Sequence, residues 1–389
     1  ELVSHQGNKY VIKDFGLTDN IAPGETRTVT FNANKVNGNI IEPANLVFGD
    51  NLVEEAPKPQ PVFDNSFDVD VDVDGDVDGD GDIERDHSKN QSHLQVNGKF
   101  LYDPNGEKVI MRGIENVVRY GQYQGSGEWN DPYEDGWLAD GDGDNVAELA
   151  KTGANAVRLI GGRPEEFERA FEQAIENNLW VSIGHVDFKD QKVMETIKEY
   201  ESYVTLHAQG EVVHQDENKW REESIKAIEE IRALGYKAPI EITAGFFGQR
   251  FEMILNQGEA ILNSDPMKNI VFVTQAYSEI ENRGGVTSNL DQLMNFPAPV
   301  LVGASYFGEG LENGWGNNSN TYKEVWDETY ERDLGSFYWV WSDAGYGDVV
   351  SSSGSFDDLT SVGEYLVNDS PANLSSHAPK TDFLLEATW

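Results

Sequence analysis

Apolar and polar positions predict a regular alternation of strands and helices from about residue 93 onwards. The predicted strands are Val109–Ile114, Ala156–Ile160, Trp180–His185, Tyr203–Leu206, Ile240–Ala244, Ile270–Tyr277, Val300–Val302 and Phe337–Trp341. The predicted helices are Asp144–Lys151, Pro164–Asn177, Lys189–Tyr200, Glu217–Leu234, Phe251–Asn263, Ser288–Asn295, Thr321–Glu331 and Asp357–Leu366. Most of these strands are apolar enough to be buried on both faces, which is typical of a parallel sheet.

Eight strands, each followed by a helix, predict an α/β fold of the (β/α)8 or TIM-barrel type. A doubly wound open sheet is the alternative, but no Gly-x-Gly-x-x-Gly follows the first strand. Leu94–Leu101 together with Val109 predicts a short hairpin that closes the base of the barrel. We therefore assign residues 93–389 to the barrel domain.

The first 53 residues predict a small β-module or a fragment of one. Strands are expected at Lys9–Val11, Arg27–Ala33 and Leu46–Phe48. The turn Ile21-Ala22-Pro23-Gly24 resembles one in carbohydrate-binding β-sandwich modules, although this segment is too short for a complete sandwich. Residues 54–66 are rich in proline and predict an extended linker.

Residues 67–92 carry aspartate at nearly every second position. The candidate metal ligands are Asp70, Asp72, Asp74, Asp76, Asp78, Asp80 and Asp82. Calcium takes six to eight oxygen ligands, and Asp-x-Asp-x-Asp-Gly supplies carboxylates together with a glycine for the sharp turn. The run resembles the calcium-binding repeats of thrombospondin type 3 modules. We expect structural calcium and no organic cofactor, and a disordered acidic spacer is the alternative.

The charge balance narrows the range of partners. The 389 residues include 69 acidic and 29 basic ones, which gives a net charge of −40, and there is no cysteine. So acidic a surface repels nucleic acid and anionic membranes, and it suits a saline environment that screens the repulsion. No apolar run reaches the length of a membrane span. We expect a secreted, extracellular and halophilic protein that acts as a monomer.

The expected carboxyl ends of the strands, where barrel enzymes place their catalytic groups, are chemically unusual. Glu211 follows the fourth strand, and flat aromatic side chains occur around the expected mouth. Such rings stack on sugars, which are apolar on their faces and polar on their edges. The expected partner is therefore a polysaccharide, and the candidate binding residues are Tyr120, Trp129, Phe247, Gln275, Trp339 and Trp341.

Residues 93 to 366 resemble family 5 glycoside hydrolases, the bacterial endo-β-mannanases and cellulases in particular. The matching segments are Val109-Ile110-Met111-Arg112-Gly113-Ile114, Gly153-Ala154-Asn155-Ala156-Val157-Arg158, and Trp339-Val340-Trp341-Ser342. The resemblance implies endo-hydrolysis of a β-1,4-glycan with retention, by two carboxyl groups about 5–5.5 Å apart.

The resemblance also implies roles for individual residues. Glu211 is the expected acid/base, and His185 matches a site position of the family. Arg158 and Tyr277 are expected to orient the nucleophile, and Trp341 to form the floor under the reacting sugar. The nucleophile after the seventh strand falls on Ala304.

Three departures leave the activity open. Gly210 replaces the asparagine before the acid/base, Gln275 replaces a histidine, and Ala304 replaces the nucleophilic glutamate. Three explanations of Ala304 compete. It is an engineered inactivation of a hydrolase, or the barrel is a non-catalytic polysaccharide-binding pseudoenzyme. In the third explanation, Glu309 or Glu312 takes the place of the nucleophile. A charged glycan is a further hypothesis, in which Arg119, Arg163 and His214 would matter.

Overall fold

The computed structural model describes residues 92–118, 145–162, 164–208, 215–277, 280, 283–306, 321–342, 347–351 and 353–387, and four short strands elsewhere. The chain divides into two units, Glu1–Arg85 and Asp86–Trp389. In the first unit the description covers one antiparallel pair of strands, which includes the predicted strand at Lys9–Val11. The other strands predicted there, the linker and the aspartate repeats lie outside the described residues.

The described strands, in chain order, are β1 (Leu2–Gln6), β2 (Lys9–Ile12), β3 (Gln95–Asn97), β4 (Phe100–Tyr102), β5 (Lys108–Val109), β6 (Arg112–Val117), β7 (Tyr123–Gln124), β8 (Glu128–Trp129), β9 (Ala156–Ile160), β10 (Trp180–Gly184), β11 (Val204–His207), β12 (Ile240–Thr243), β13 (Ile270–Ala276), β14 (Val300–Ser305) and β15 (Gly335–Trp339). Eight of them, β6 and β9 to β15, pair in parallel, and β15 returns to β6 to close a barrel. The predicted (β/α)8 barrel is confirmed.

Helices pack around this barrel. They are α1 (Asn145–Ala150), α2 (Pro164–Glu176), α3 (Gln191–Glu199), α4 (Glu217–Ala233), α5 (Phe251–Ser264), α6 (Val286–Leu293), α7 (Thr321–Glu331), α8 (Ser361–Glu364), α9 (Leu374–His377) and α10 (Asp382–Leu385). The single helix predicted at Asp357–Leu366 is wrong, because the Thr360 side chain accepts hydrogen bonds from the Val362 and Gly363 amides and starts a new helix there. Within the described chain, no helix combines the length and apolar character needed to cross a bilayer.

Side chains alternate strictly between the inside and the outside of the barrel, as the two-residue period of a strand requires. Inward-facing Trp180, Val273, Leu301 and Phe337 form an inner core. That core continues into the base hairpin of β3, β4 and β5 through Leu94, Leu101 and Val109, so the predicted closure of the base is confirmed. The first barrel strand begins later than predicted, since Val109 belongs to β5.

The C-terminal segment is tied to the first barrel strands. Arg112 donates from Nη2 to the Ala372 carbonyl at 2.8 Å, and its guanidinium lies 4.5 Å from the Trp326 ring. Asn155 donates to the Pro379 carbonyl at 2.7 Å. Leu384 of α10 joins the inner core at the base. The barrel domain therefore extends to the last described residues.

Candidate functional site

A cavity lies at the carboxyl ends of the barrel strands. The residues that line it are Glu115, Arg158, Ile160, His185, His207, Thr243, Phe247, Gln275, Tyr277 and Trp339. Six of these lining residues were predicted from the sequence: Arg158, His185, Phe247, Gln275, Tyr277 and Trp339. The structure thus brings most of the described site predictions to one place.

Arg158 is the centre of a buried ionic cluster in the barrel interior. It is 1% exposed, and its Nη1 donates to Glu115 at 3.1 Å and its Nη2 to Glu241 at 2.9 Å. Its Nε donates to the Ser182 hydroxyl at 2.9 Å, and the guanidinium lies 4.4 Å from the Phe337 ring centre. All three guanidinium nitrogens therefore already have acceptors on the barrel strands.

Glu241 is the fully buried carboxylate of this cluster. Its oxygens are 2.7 Å from His207 Nε2 and within hydrogen-bonding distance of the Thr205 hydroxyl. Burial alone would raise the pKa of Glu241, but the charges of His207 and Arg158, with the hydrogen bonds from His207 and Thr205, outweigh it. They hold the pKa of this carboxyl well below its ordinary value, so Glu241 is an anion at neutral pH.

His185 contributes an uncharged imidazole to the cavity wall. Burial, with the nearby charges of His207 and Arg158, lowers the pKa of His185 to about 4. At neutral pH the ring is therefore neutral and adds no positive charge to the cavity wall.

Three residues around the mouth have backbone conformations that are rare for side-chain-bearing residues. The φ angles are +56° for His185, +53° for Phe246 and +56° for Phe247. Such outliers persist only where the surrounding structure holds them, and they cluster at functional sites. Their position after β10 and β12 supports a functional role for this end of the barrel.

The structure does not bring Ala304 into the cavity. In β14, Gly303 pairs laterally with Gln275 and Phe337, which face inward, whereas Ala304 pairs with Ala276 and Tyr338. The side chain of Ala304 is fully buried in the apolar layer between barrel and helices. The β14 residue that faces inward near the mouth is Ser305, which pairs laterally with Trp339.

Trp341 also differs from its predicted place. Trp339, the last residue of β15, faces inward and is partly exposed in the cavity wall. Trp341 is fully buried beyond the end of the strand, and its indole nitrogen lies 3.3 Å from the Gly354 carbonyl, to which it donates. The aromatic platform is therefore Trp339, because the chain leaves the barrel before it reaches Trp341.

Several predicted site residues lie outside the described residues. These are Glu211, Tyr120 and all seven aspartates from Asp70 to Asp82, while Trp129 is described only as part of β8. Gly210, Arg119, Arg163, His214, Glu309 and Glu312 are also outside. Among the described residues no group of three or more histidines and carboxylates could hold a metal ion.

The sequence alone placed Glu115 at the end of the first strand but gave it no role, and it gave none to His207, Thr243 or Glu241 either. A signal existed for Glu241, since a carboxylate between Ile240 and Ile242 in an apolar strand must face either the core or the barrel interior. Its partner Arg158 lies 83 residues earlier in the chain, so the pairing itself carried no local signal.

Comparisons with known proteins agree on one class. No protein-family model matches the sequence. The chain is 22% identical over 308 residues to a mannan endo-1,4-beta-mannosidase of Cellvibrio japonicus, with 70% of this chain and 65% of that protein covered. It is 23% identical over 321 residues to a mannan endo-1,4-beta-mannosidase of Salipaludibacillus agaradhaerens, with 74% and 95% covered.

The fold agrees with these relatives. The crystal structure of beta-mannanase from Streptomyces thermolilacinus with mannohexaose superposes with a TM-score of 0.62 at 18% identity, and covers 76% of this chain and 99% of that one. The chain is thus a (β/α)8 barrel that is similar to endo-acting glycoside hydrolases. Its relatives are mannanases, and the alignment spans 65% of the length of the Cellvibrio protein.

Proposed function

We propose that this barrel binds a β-1,4-linked mannan-type polysaccharide at the carboxyl-end mouth. The observation that carries the proposal is the partly exposed indole of Trp339, which faces the cavity beside the polar side chains of Gln275 and Tyr277. A flat ring next to hydrogen-bonding groups matches the apolar face and polar edge of a sugar. Mannan is the preferred glycan because both curated relatives are mannan endo-1,4-beta-mannosidases.

Binding without hydrolysis fits the described residues better than a retaining mechanism does. Retention needs one carboxyl group as acid/base and a second as nucleophile, about 5–5.5 Å apart. Among the described residues at the mouth, the carboxylates are Glu115 and the deeper Glu241, and both are held by Arg158. The inward-facing residue of β14 nearest the mouth is Ser305, and a serine is no substitute for the glutamate of this mechanism.

Endo-hydrolysis of the same glycan is the second candidate. It is favoured by the activity of the relatives and by Glu211, which follows β11 as the acid/base of family 5 hydrolases would. In this case the nucleophile would have to come from outside the described residues, where Glu309 and Glu312 are the candidates.

Calorimetric titration with mannohexaose and a reducing-sugar assay on mannan test both candidates. We expect the protein to bind mannohexaose and to release no reducing ends. Trp339→Ala should weaken binding about tenfold, because it removes the stacking surface. Phe100→Ala, which truncates a partly exposed ring of the base hairpin, is the matched control and should bind normally.

Each alternative outcome has a distinct meaning. Release of reducing ends that disappears in Glu211→Gln would favour the hydrolase. Unchanged binding by Trp339→Ala would contradict the assignment of the mouth. If the protein binds neither mannohexaose nor mannan, both candidate functions, mannan binding and mannan hydrolysis, are wrong.

A further inference from the structure

We infer that Thr243 and Gln275 form a hydrogen-bonding subsite in the cavity, and that it selects an uncharged, hydroxyl-rich sugar over an anionic one. This inference rests on the proposed function and names the chemical class of its ligand. The two residues lie on the adjacent strands β12 and β13, and both line the cavity.

The first argument is that both side chains carry an unused polar atom. Thr243 is 6% exposed, and no described protein group pairs with its Oγ1. The buried Oε1 of Gln275 likewise has no partner among the described residues. Exchanging the oxygen and nitrogen of this amide would leave the same position unpaired. Buried polar groups in native proteins are usually paired, so two exceptions in one cavity indicate a ligand or water in contact with them.

The second argument is that hydrogen bonds anchor the backbone of both residues. The Thr243 carbonyl accepts a hydrogen bond from the Trp220 indole at 2.8 Å, which anchors the end of β12 to α4. The backbone N–H of Gln275 and the Thr274 hydroxyl both donate to the Gly248 carbonyl at 2.8 Å. These two bonds fix the loop after β12 against β13. A ligand therefore has less of the surrounding backbone to order when it binds.

The third argument concerns the space kept for the Gln275 side chain. A Cβ added to Gly303 would lie 1.7 Å from Gln275 Oε1, and one added to Gly248, at φ +80°, would lie 2.5 Å from Gln275 Cγ. Two glycines on neighbouring segments thus leave room for one amide. The cavity in front of it encloses about 40 Å³, which is space for a few water molecules or for one or two sugar hydroxyl groups.

The charge of the described cavity lining disfavours an anionic sugar. Its arginine, Arg158, is neutralised by Glu115 and Glu241, and its second basic group, His207, lies 2.7 Å from Glu241 through Nε2. His185 is neutral at physiological pH for the reasons given above. A carboxylate or sulfate on the sugar would therefore lose its water and find no unpaired cation among the described lining residues.

The test uses the full chain and two matched ligands. Mannohexaose is the neutral ligand, and a β-1,4-linked oligomannuronate of the same length carries a carboxylate on each corresponding sugar. We expect the wild-type protein to bind oligomannuronate at least tenfold more weakly than mannohexaose. Thr243→Val and Gln275→Met should each weaken the binding of mannohexaose about tenfold.

A stability measurement separates this role from a structural one. Thr243→Val removes an unpaired hydroxyl with little change of shape, so its melting temperature should equal or exceed that of the wild type. Thr381→Val is the control, because Thr381 also has a buried, unpaired hydroxyl, but at the base of the barrel. It should leave the binding of mannohexaose unchanged.

Two results would overturn the inference and leave the proposed function intact: wild-type affinity of Thr243→Val for mannohexaose, or equal affinity of the wild type for both ligands. A lowered melting temperature of Thr243→Val would overturn it without any ligand. If the wild type binds no mannan at all, the proposed function fails, and the neutral-sugar subsite falls with it.

Discussion

A glutamate at position 304 should destabilise this barrel strongly and should not create a mannanase. The family resemblance alone makes Ala304→Glu the obvious restoring substitution. In the structure, however, residue 304 is fully buried among apolar side chains on the outer face of β14. The new carboxyl group would lie between the barrel and its helices, away from the cavity that Ser305 faces.

The magnitude follows from this burial. A fully buried carboxyl group has its pKa raised by up to about 3–5 units, to above 7, so at pH 7 it is largely protonated, and at 1.36 kcal/mol per pH unit above 4.3 the penalty is about 3.5 kcal/mol. Overpacking adds about 1–3 kcal/mol. Domains are stable by only about 5–15 kcal/mol, so the variant should lose a large part of its free energy of unfolding.

Urea denaturation followed by tryptophan fluorescence measures this cost, with Ala304→Gln as the control of equal size. The folded-state pKa of the new glutamate is raised, so its penalty should grow as the pH rises above about 4.3, the ordinary pKa of glutamate. Below that pH the two variants should be equally stable. A stable Ala304→Glu protein that releases reducing ends from mannan would refute the assigned facing of β14.

Three other predictions concern charge. Arg158→Met leaves Glu115 and Glu241 buried without their cation, so it should lower the free energy of unfolding, measured by urea denaturation, by about 3–5 kcal/mol. A variant as stable as the wild type would contradict the stabilising role of this ionic cluster. The folded-state pKa of Glu241 is lowered, so its ionisation stabilises the fold above the unfolded-state pKa near 4.3, and this contribution is lost as the pH falls towards the folded-state pKa. The difference in unfolding free energy between wild type and Glu241→Gln should therefore narrow from pH 6 to pH 3, and a constant difference would speak against it. We also propose that the aspartate repeats bind calcium, so a calcium titration of the chain should give binding heat that falls in the double variant Asp74→Asn/Asp76→Asn; no heat with the wild type would exclude the site.

The sequence predicted the barrel well because its signal is local. Apolar runs of strand length separated by amphipathic helical segments locate the eight barrel strands within a few residues. The first strand was predicted to start too early, because the buried Val109 belongs to the base hairpin. There Lys108 and Val109 pair with β4. Whether such a segment joins the hairpin or the barrel depends on tertiary contacts.

The facing of individual residues was harder to predict. Matching a family motif gives the order of residues, but a shift of one residue in a strand exchanges its two faces. For this reason Ala304 was expected at the mouth, whereas Ser305 faces inward. Trp341 was misplaced for a different reason, because the strand already ends at Trp339. Lateral pairing with neighbouring strands decides the facing, and these partners are distant in sequence.

The tie between Arg112 and Ala372 has a consequence for synthesis of the chain. The first barrel strand must wait for β15 to close the barrel, and Arg112 must wait still longer for its carbonyl acceptor. During translation the apolar surfaces of the early strands therefore remain without their final cover, a state that favours aggregation. A nascent chain that stalls between residues 339 and 372 would carry a complete set of barrel strands and still be a substrate for chaperones and proteases.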